Sequence, residues 1–533
     1  MSQEPKQPDP DRGPDPQRPE RDLELRDRKQ SRVGHETPRR NRGMRRVVEF
    51  CQRAVLPVTL AGVWVLSLGL VGLITLRALA PVEVNFNEGW NAYFQSMAAR
   101  GENIYPPPTV SVFNNYPPLS FYLIGFASTF GADVVTAGRI VSLVSVAATS
   151  LFAGVVAMRL SEGGRLALLV GAGTCLALLV VTFSDYVGVN DPQFMAQAVM
   201  VAAMAIYVGN NKGTSTLVLA VALIAIAVAI KHNLLAFPLA LALDQWISNR
   251  RHFGRFLLIV ATAGLLLGAW MHLVSDARIW SALLSPRMVS IGHMLEVARQ
   301  VGKSLGVVAL VLVILNAGRL FDESRRLVMF YLVASLVIGT FFARGDGVNT
   351  NIFIDLVIAM AIAIGLGVSE LFRAPGAVFL GLRLPVVGAL LLLTAIAGAA
   401  LTAENDMQRL LQRDDQQSTE RFHSTTEHLR ARPGGAMCVP SPLLCYRAGK
   451  KLLYDFNTGQ AIQTGRLPMA RLIDVMRDED VQTVVLSEPD SRVIESGGAS
   501  SAVTPFLQEI GMHYRPEFRR ADGLVFWVRS TSP

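Results

Sequence analysis

The chain has 533 residues, of which 51% are hydrophobic and 17% charged, and its formal net charge is +8. Globular proteins carry about 25% charged residues, and here the charge is scarce through a long middle section and concentrated at both ends. This distribution predicts a membrane domain with polar flanks and excludes one large soluble core. Because the basic residues lie in the N-terminal tail and in short loops, membrane topology explains them better than nucleic-acid binding does.

Residues 1–46 are rich in Pro, Arg, Asp, Glu and Gln and nearly lack apolar side chains. Such a segment cannot bury enough apolar surface to fold, and it contains no apolar stretch like that of a signal peptide. We therefore expect a disordered cytoplasmic tail.

Residues 47–402 form the predicted membrane domain. A helix needs roughly 20 apolar residues to cross the hydrocarbon layer, and apolar runs predict about eleven such helices. They lie near Val55–Leu79, Val134–Leu160, Leu166–Phe183, Pro192–Val208, Thr216–Ile230, Leu234–Ile247, Phe256–Val274, Ser304–Leu320, Leu327–Phe342, Asn351–Phe372 and Leu384–Thr402. The fifth and sixth are short, and another apolar run, Leu119–Phe130, is too short to cross and is expected to lie at the membrane surface.

The distribution of Lys and Arg predicts the orientation. With the N-terminus inside, the inner loops contain most of the loop cations, namely Arg159, Arg165, Lys212, Arg250, Arg251, Arg255, Arg319, Arg325, Arg326, Arg373 and Arg383. This satisfies the positive-inside rule. An odd number of spans then places the C-terminal region outside.

Residues 403–533 are the predicted extracytoplasmic domain. Short β-like runs, such as Thr483–Leu486 and Leu524–Val528, alternate with helix-like segments such as Met469–Met476, which indicates a small α/β domain. Cys438 and Cys445 fit no common zinc pattern. They could form a disulfide in an oxidising compartment, and two free thiols are an equally open alternative.

Polar residues of four outer loops are the candidate functional groups, because polar side chains near a membrane are costly. They are Glu88 in the first outer loop (residues 80–133), Asp191, the pair Lys231 and His232, and the group Arg344, Asp346 and Asn351. The predicted topology puts all of them at one depth.

Each candidate also has an ordinary structural interpretation. Glu88 fits a capping box that begins at Asn85, and Asp191 before Pro192 is a common helix start. Lys231 can extend to the interface, and the segment from Arg344 to Gly347 has the composition of a turn. The functional interpretation therefore depends on the set more than on any member.

Several motifs resemble bacterial GT-C glycosyltransferases, the relatives of protein O-mannosyltransferases and aminoarabinose transferases. The resemblance is carried by Asn85–Tyr93, Gly101–Tyr105, Tyr116–Leu119, Arg139, Asn190–Pro192 and Asn349–Phe353, and it covers most of the membrane domain. Two positions depart from the family pattern. Asn87 stands where relatives often have the first acid of an acidic pair, and Tyr116 stands where a basic residue often precedes Pro-Pro.

The resemblance implies a GT-C-like membrane domain in the bacterial inner membrane that moves a sugar from a polyprenyl phosphate or diphosphate to an acceptor hydroxyl, with inversion. The acceptor would be a glycan, a lipid or a protein. Glu88 is the implied base, and Asp191 would orient the acceptor. A divalent cation, Mg²⁺ or Mn²⁺, is left open, with Glu88 and Asp191 as its candidate ligands. The other candidates for donor or acceptor binding are Asn87, Tyr105, Tyr116, Lys231, His232, Arg344, Asp346 and Asn351.

Two other functions are compatible with a polytopic chain. A transporter or flippase of lipid-linked glycans predicts polar groups near the midplane and broken helices in repeated halves; the sequence shows no internal repeat, and Asp355 is the main charge within a predicted span. A sensor or scaffold predicts that the acids of the outer loops are dispensable. A transferase predicts that they are required.

Overall fold

The computed structural model describes residues 40–106, 111–161, 164–209, 213–275, 277–285, 287–319, 322–373, 378–379, 382–403, 416–496, 504–520 and 522–530. The chain divides into two units, Met1–Val55 and Leu56–Pro533. Residues 1–39 of the predicted tail lie outside the described residues, and a helix begins at Arg40. All the contacts that follow lie within the second unit.

The membrane domain is built from fourteen described α-helices. In chain order these are α1 (Arg40–Leu79), α2 (Asn87–Ala99), α3 (Leu119–Ser128), α4 (Val134–Leu160), α5 (Arg165–Thr182), α6 (Gln193–Tyr207), α7 (Thr214–Ile230), α8 (Ala236–Ser248), α9 (Phe253–Ser275), α10 (Arg278–Leu283), α11 (Ile291–Asn316), α12 (Arg326–Ala343), α13 (Ile354–Arg373) and α14 (Leu384–Thr402). Short 3₁₀ turns precede α9 and α13, and a two-stranded ribbon, β1 (Val378–Phe379) with β2 (Leu382–Arg383), precedes α14.

Eight described helices are long and apolar enough to cross a membrane, so the chain is a multi-pass membrane protein and the predicted fold class is confirmed. Each of the eleven predicted spans corresponds to a helix, but α6, α7 and α8 have only 15, 17 and 13 residues. At 1.5 Å per residue, the last is about 20 Å long, against a hydrocarbon layer of about 30 Å. The expected surface helix is α3, with ten residues.

Small residues bring the central helices close together. The apolar stretch of α13 is completely buried, and a Cβ added at Gly365 would lie 2.9 Å from the Cα of Gly171 in α5. A Cβ at Gly154 of α4 would lie 2.5 Å from the carbonyl oxygen of Leu168. Close backbone approach through small residues is typical of helix packing in membranes. These contacts pack α4, α5 and α13 directly against one another.

The helix ends form two polar layers. At one end, ion pairs connect the loops that the sequence assigns to the cytoplasm. Arg326 lies 3.1 Å from Asp244, and Glu370 pairs with Arg319 and Arg325. The loops after α5, α7 and α12 lie at the opposite end, together with the first loop after α1. Successive loops therefore lie at alternate ends of the helices, as the predicted division into inner and outer loops requires.

The C-terminal domain contains a four-stranded sheet of β3 (Gly435–Cys438), β4 (Val481–Ser487), β5 (Tyr514–Arg519) and β6 (Leu524–Arg529), in the order β3-β4-β6-β5. Strands β3 and β4 are parallel and the other pairs antiparallel. Its helices are α15 (Gln416–Ala431), α16 (Pro442–Arg447), α17 (Phe456–Gln463), α18 (Met469–Asp478), α19 (Glu488–Glu495) and α20 (Thr504–His513). This confirms the predicted α/β character, and the open choice at Cys438 and Cys445 is resolved as a disulfide.

The C-terminal domain packs on the first and last polar loops of the membrane domain. The Ser96 hydroxyl lies 2.8 Å from the Tyr446 hydroxyl. The Thr458 hydroxyl donates to the Ser111 carbonyl oxygen at 2.7 Å. The Gln460 amide donates to the Asp346 carbonyl oxygen at 2.9 Å. The domain is therefore held against the membrane domain at several separate points.

One of the very close contacts between the two domains is at Gly89. A Cβ added there would lie 2.1 Å from the backbone nitrogen of Leu443 in α16. We expect Gly89→Ala to displace the C-terminal domain and cost about 1–3 kcal/mol, because backbone on both sides cannot yield. Thermal unfolding and protease resistance of the domain measure this. Gly69→Ala, at a helix position with open space around it, is the control; equal behaviour of the two variants would contradict the expectation.

Glu83 makes the contact sensitive to pH. Its carboxyl group accepts hydrogen bonds from the Ser441 hydroxyl and from the Leu443 N–H. Burial raises the pKa of Glu83 from 4.5 to about 8, and these hydrogen bonds only partly offset it. Because the folded state favours the protonated acid, the associated stability is complete below the unfolded pKa and is lost as the pH rises through about 8.

We therefore expect the thermal midpoint of the protein to fall between about pH 5 and pH 9, and Glu83→Gln to flatten this dependence. The amide resembles the protonated acid, since it can accept from Leu443 N–H and donate to Ser441. Glu102→Gln, at an exposed pair with Arg100, is the matched control. An unchanged slope in Glu83→Gln would show that another group causes the pH dependence.

Candidate active site

A cavity of about 680 Å³ lies at the polar end of the helices, between the membrane domain and the C-terminal domain. Its walls come from the first loop, from the loops after α5, α7, α10 and α12, and from the start of α17. The polar and aromatic lining residues are Asn85, Phe86, Asn87, Trp90, Asn115, Tyr116, Asp185, Tyr186, Lys231, His232, Asn233, Ser285, Arg287, Phe341, Phe342, Arg344, Asn349, Asn351, Asp455, Phe456 and Asn457. Segments distant in sequence thus share one solvent space.

Four basic side chains form the cationic wall of the cavity: Lys231, His232, Arg287 and Arg344. Lys231 is buried and is held in place by three groups. Its Nζ lies 3.1 Å from Asp191 Oδ1, 3.4 Å from the Tyr116 hydroxyl and 4.5 Å from the centre of the Tyr116 ring. A fixed ammonium group in a partly dry cavity interacts more strongly with an anion than a mobile one in water.

His232 is neutral at neutral pH in this arrangement. Burial, with the positive charges of Arg287 and Lys231, lowers the pKa of His232 to about 4. Its Nδ1 is buried and has no hydrogen-bond partner within the described part of the chain. An anion bound beside it would favour the protonated imidazolium, so this group can gain a charge when a phosphate enters.

Glu88 is buried behind the cavity wall and does not line the cavity. Its two oxygens accept hydrogen bonds from Arg139 at 2.7 and 2.6 Å, from the Val84 N–H at 2.8 Å and from the Asn190 N–H at 3.1 Å. The Arg139 guanidinium also donates to the carbonyl oxygens of Ala78, Ala80 and Val82. This bidentate pair joins the first loop, α4 and the loop after α5.

Asp191 is also buried just outside the cavity lining. It accepts hydrogen bonds from Lys231, from the Asn87 amide at 3.3 Å and from the Gln193 N–H at 2.8 Å. The last bond closes a local turn just before α6, whose N-cap is Pro192 and carries no side-chain capping hydrogen bond. Asp191 therefore holds Asn87 and Lys231 in place on the cavity wall.

The structure brings six sequence-predicted residues to the cavity surface: Asn87, Tyr116, Lys231, His232, Arg344 and Asn351. Tyr105 is instead buried and donates to the Tyr116 carbonyl oxygen at 2.7 Å. Asp346 does not line the cavity, and its carbonyl oxygen contacts the C-terminal domain. These two side chains are placed to support the wall rather than to contact a ligand.

Several lining residues were missed by the sequence analysis, notably Asp185, Arg287 and the segment Asp455–Asn457. Asp185 lies in the same loop as Asp191, so proximity to that candidate was an available signal. Asp455 begins a capping box with Thr458, and no feature of the C-terminal sequence connects it with the membrane domain. The Asn115 amide reaches this segment by donating to Asn457 Oδ1 at 3.0 Å.

The two candidate metal ligands do not fit a divalent cation. Glu88 and Asp191 are each paired with a buried cation, Arg139 and Lys231, which occupies the position that a metal would need. Among the described residues, no group of three or more His, Cys, Asp or Glu side chains could hold a metal ion.

Comparison with known proteins identifies the fold. No protein-family model and no curated protein sequence matches the chain. ArnT from Cupriavidus metallidurans matches in its undecaprenyl-phosphate-bound structure at 13% identity and a TM-score of 0.56, over 88% of this chain and 98% of ArnT. The apo structure of ArnT gives 15% and 0.59, over 89% of this chain and 98% of ArnT.

The oligosaccharyltransferase of Archaeoglobus fulgidus, tethered with an acceptor peptide, matches at 11% identity and a TM-score of 0.52, over 89% of this chain and 74% of that enzyme. ArnT is an aminoarabinose transferase, and both neighbours belong to the GT-C superfamily of lipid-linked sugar transferases. The chain therefore has the GT-C fold, as the motifs of its outer loops predict.

Proposed function

We propose that the chain is a glycosyltransferase that moves a sugar from a polyprenyl-phosphate carrier to an acceptor hydroxyl. One observation carries the proposal: four basic side chains and a carboxylate, Asp185, line the same cavity at the ends of the membrane helices. Sugar transfer from a phosphate needs this combination, because a cationic surface must take up the phosphate charge while another group takes a proton. The GT-C fold supports the same activity.

The cationic wall is the proposed binding site for the donor phosphate. Bond cleavage at the anomeric carbon leaves additional negative charge on the phosphate oxygen, and preorganised donors stabilise that charge in the transition state. Lys231 and Arg344 carry fixed charge, and His232 would become charged beside the phosphate. The ArnT structure bound to undecaprenyl phosphate supports a carrier of this kind. Trp90 and Tyr116, in edge contact at 4.9 Å, offer aromatic surface to the sugar.

The proposed reaction is one inverting displacement. The acceptor oxygen forms a bond to the anomeric carbon as the bond from that carbon to the phosphate oxygen breaks. The electron pair leaves with the lipid phosphate, and the hydroxyl proton passes to a group of the cavity. The tethered acceptor peptide of the archaeal neighbour is one example of an acceptor in this fold; for this chain the proposed acceptor is any hydroxyl-bearing glycan, lipid or protein.

We propose that the cavity faces the outside of the bacterial inner membrane. The domain boundaries that follow are a membrane domain over residues 47–402 and an extracytoplasmic domain over residues 403–533, with the N-terminus in the cytoplasm. The disulfide of the C-terminal domain supports this, since disulfides persist in oxidising compartments. The cations at the opposite helix ends support it through the positive-inside rule.

Transport of a lipid-linked glycan is the rival function, and Asp355 was its main sequence feature. Asp355 is buried in α13, accepts a hydrogen bond from the Tyr331 hydroxyl at 2.5 Å and does not line the cavity. This placement is that of a packed structural group, and it does not favour a path through the helices.

Cleavage of the donor distinguishes transfer from transport. Lipid-linked sugars extracted from a strain that lacks the protein would be supplied to proteoliposomes containing the full chain, together with the surface glycans, lipids and envelope proteins of that strain. We expect release of polyprenyl phosphate and appearance of the sugar on an acceptor. Movement of intact donor across the bilayer without cleavage would support a transporter. If neither transfer nor transport were observed, both functions would be refuted.

A further inference from the structure

The proposed reaction requires a group that takes the acceptor proton, and Glu88 is poorly placed for it. Both of its oxygens are occupied by Arg139 and by two backbone N–H groups, and it does not line the cavity. A base must come within hydrogen-bond reach of the acceptor hydroxyl. Glu88 could do so only by giving up a bidentate ion pair, which leaves Arg139 buried without its partner.

Three other carboxylates at this end of the molecule are also engaged. Asp191 is paired with Lys231, and Glu83 contacts Ser441 and Leu443 in a neighbouring pocket. Asp455 lines the cavity but caps α17, accepting from the backbone N–H of Thr458 at 2.7 Å and from the Asn457 amide at 3.2 Å. Its oxygens are committed to holding the C-terminal domain in shape.

Asp185 differs from all of these. Its side chain is half-buried and lines the cavity. Among the described residues, no side chain or backbone N–H forms a hydrogen bond or ion pair with its carboxylate. Its backbone is held, because the Asn85 amide donates to the Asp185 carbonyl oxygen at 3.4 Å, and the next residue, Tyr186, is buried. A fixed backbone with an unengaged carboxylate is what a proton acceptor needs.

We propose that Asp185 is the catalytic base of the sugar transfer. This rests on the proposed function and names the residue that completes it. As the acceptor oxygen attacks the anomeric carbon, its proton moves to the Asp185 carboxylate, while the phosphate leaves with the electron pair of the broken bond. The protonated acid then returns the proton to water.

The test compares Asp185→Asn with the unaltered chain in proteoliposomes, with the extracted donor and an excess of acceptor. We expect kcat to fall about 10²–10⁴-fold, and the acidic limb of the pH–rate profile to disappear. Binding of undecaprenyl phosphate and the thermal midpoint should not change, since the substituted carboxylate holds no other residue. Asp474→Asn, on the exposed face of α18 beside Arg477, is the control and should transfer normally.

A second variant tests the carboxylate directly. Asp185→Glu keeps a carboxylate on the same backbone position, so it should retain part of kcat and the acidic limb of the profile that Asp185→Asn loses. Near-normal transfer by Asp185→Asn, or loss of undecaprenyl-phosphate binding together with transfer, would overturn the assignment of the base. Absence of transfer by the unaltered chain would instead refute the proposed function, so the two failures are distinguishable.

Discussion

Substituting Arg139 by methionine should destabilise the protein by about 3–5 kcal/mol, because it leaves the Glu88 carboxylate buried without a counter-charge. The side chains of the pair are 3% and 0% exposed, so water cannot replace the lost partner. Arg139 also donates to the carbonyl oxygens of Ala78, in the last turn of α1, and of Ala80 and Val82, just after it. Unfolding of the detergent-solubilised protein, followed by its thermal midpoint and by denaturant titration, measures the loss.

A surface pair in the same loop provides the matched control. Arg100 contacts Glu102 with comparable geometry, but their side chains are 57% and 47% exposed. Arg100→Met should therefore cost about 0–1 kcal/mol. In the double variant Glu88→Gln/Arg139→Met, most of the stability should return because no charge remains buried. If Arg139→Met lost no more stability than Arg100→Met, the ion pair of Arg139 and Glu88 would not be a major stabilising contact.

The long spans were predictable because their signal is local. Val134–Leu160 and Leu384–Thr402 have the bounds expected from apolar run length alone. The strand runs of the C-terminal domain were found in the same way, within β4 and β6. For α8, the apolar segment identifies a helix of only 13 residues, and whether this helix crosses the membrane depends on its tilt and its neighbours.

The site was only partly predictable, because its contacts join distant segments. Lys231 and Arg344 were predicted because both are polar residues of the predicted outer loops, and the topology alone places these loops at the same end of the helices. The partner of Glu88 lies 51 residues away, so no sequence pattern showed that this carboxylate was already occupied. Asn457 meets Asn115 across 342 residues, and only the packing of the C-terminal domain brings it to the cavity.

Lys231→Met should reduce kcat about 10²–10³-fold, the usual effect of removing one preorganised group that stabilises developing negative charge. Lys231 is the most firmly held cation of the wall, with Asp191 and Tyr116 fixing its Nζ. The affinity for undecaprenyl phosphate should fall as well, because the ground-state phosphate is already anionic. Transfer assays and lipid binding to the purified full chain measure the two effects separately.

The same substitution leaves Asp191 buried without its partner, and that structural cost must be separated from the loss of charge at the phosphate. Asp191→Asn/Lys231→Met removes both charges and should recover the thermal midpoint, yet transfer should stay low because nothing replaces the ammonium group beside the leaving phosphate. Lys451→Met, at an exposed pair with Glu479, is the control and should change neither the thermal midpoint nor the rate of transfer. Recovery of transfer in the double variant would mean that Lys231 serves only to hold Asp191, and the binding of the phosphate would then fall to His232, Arg287 and Arg344.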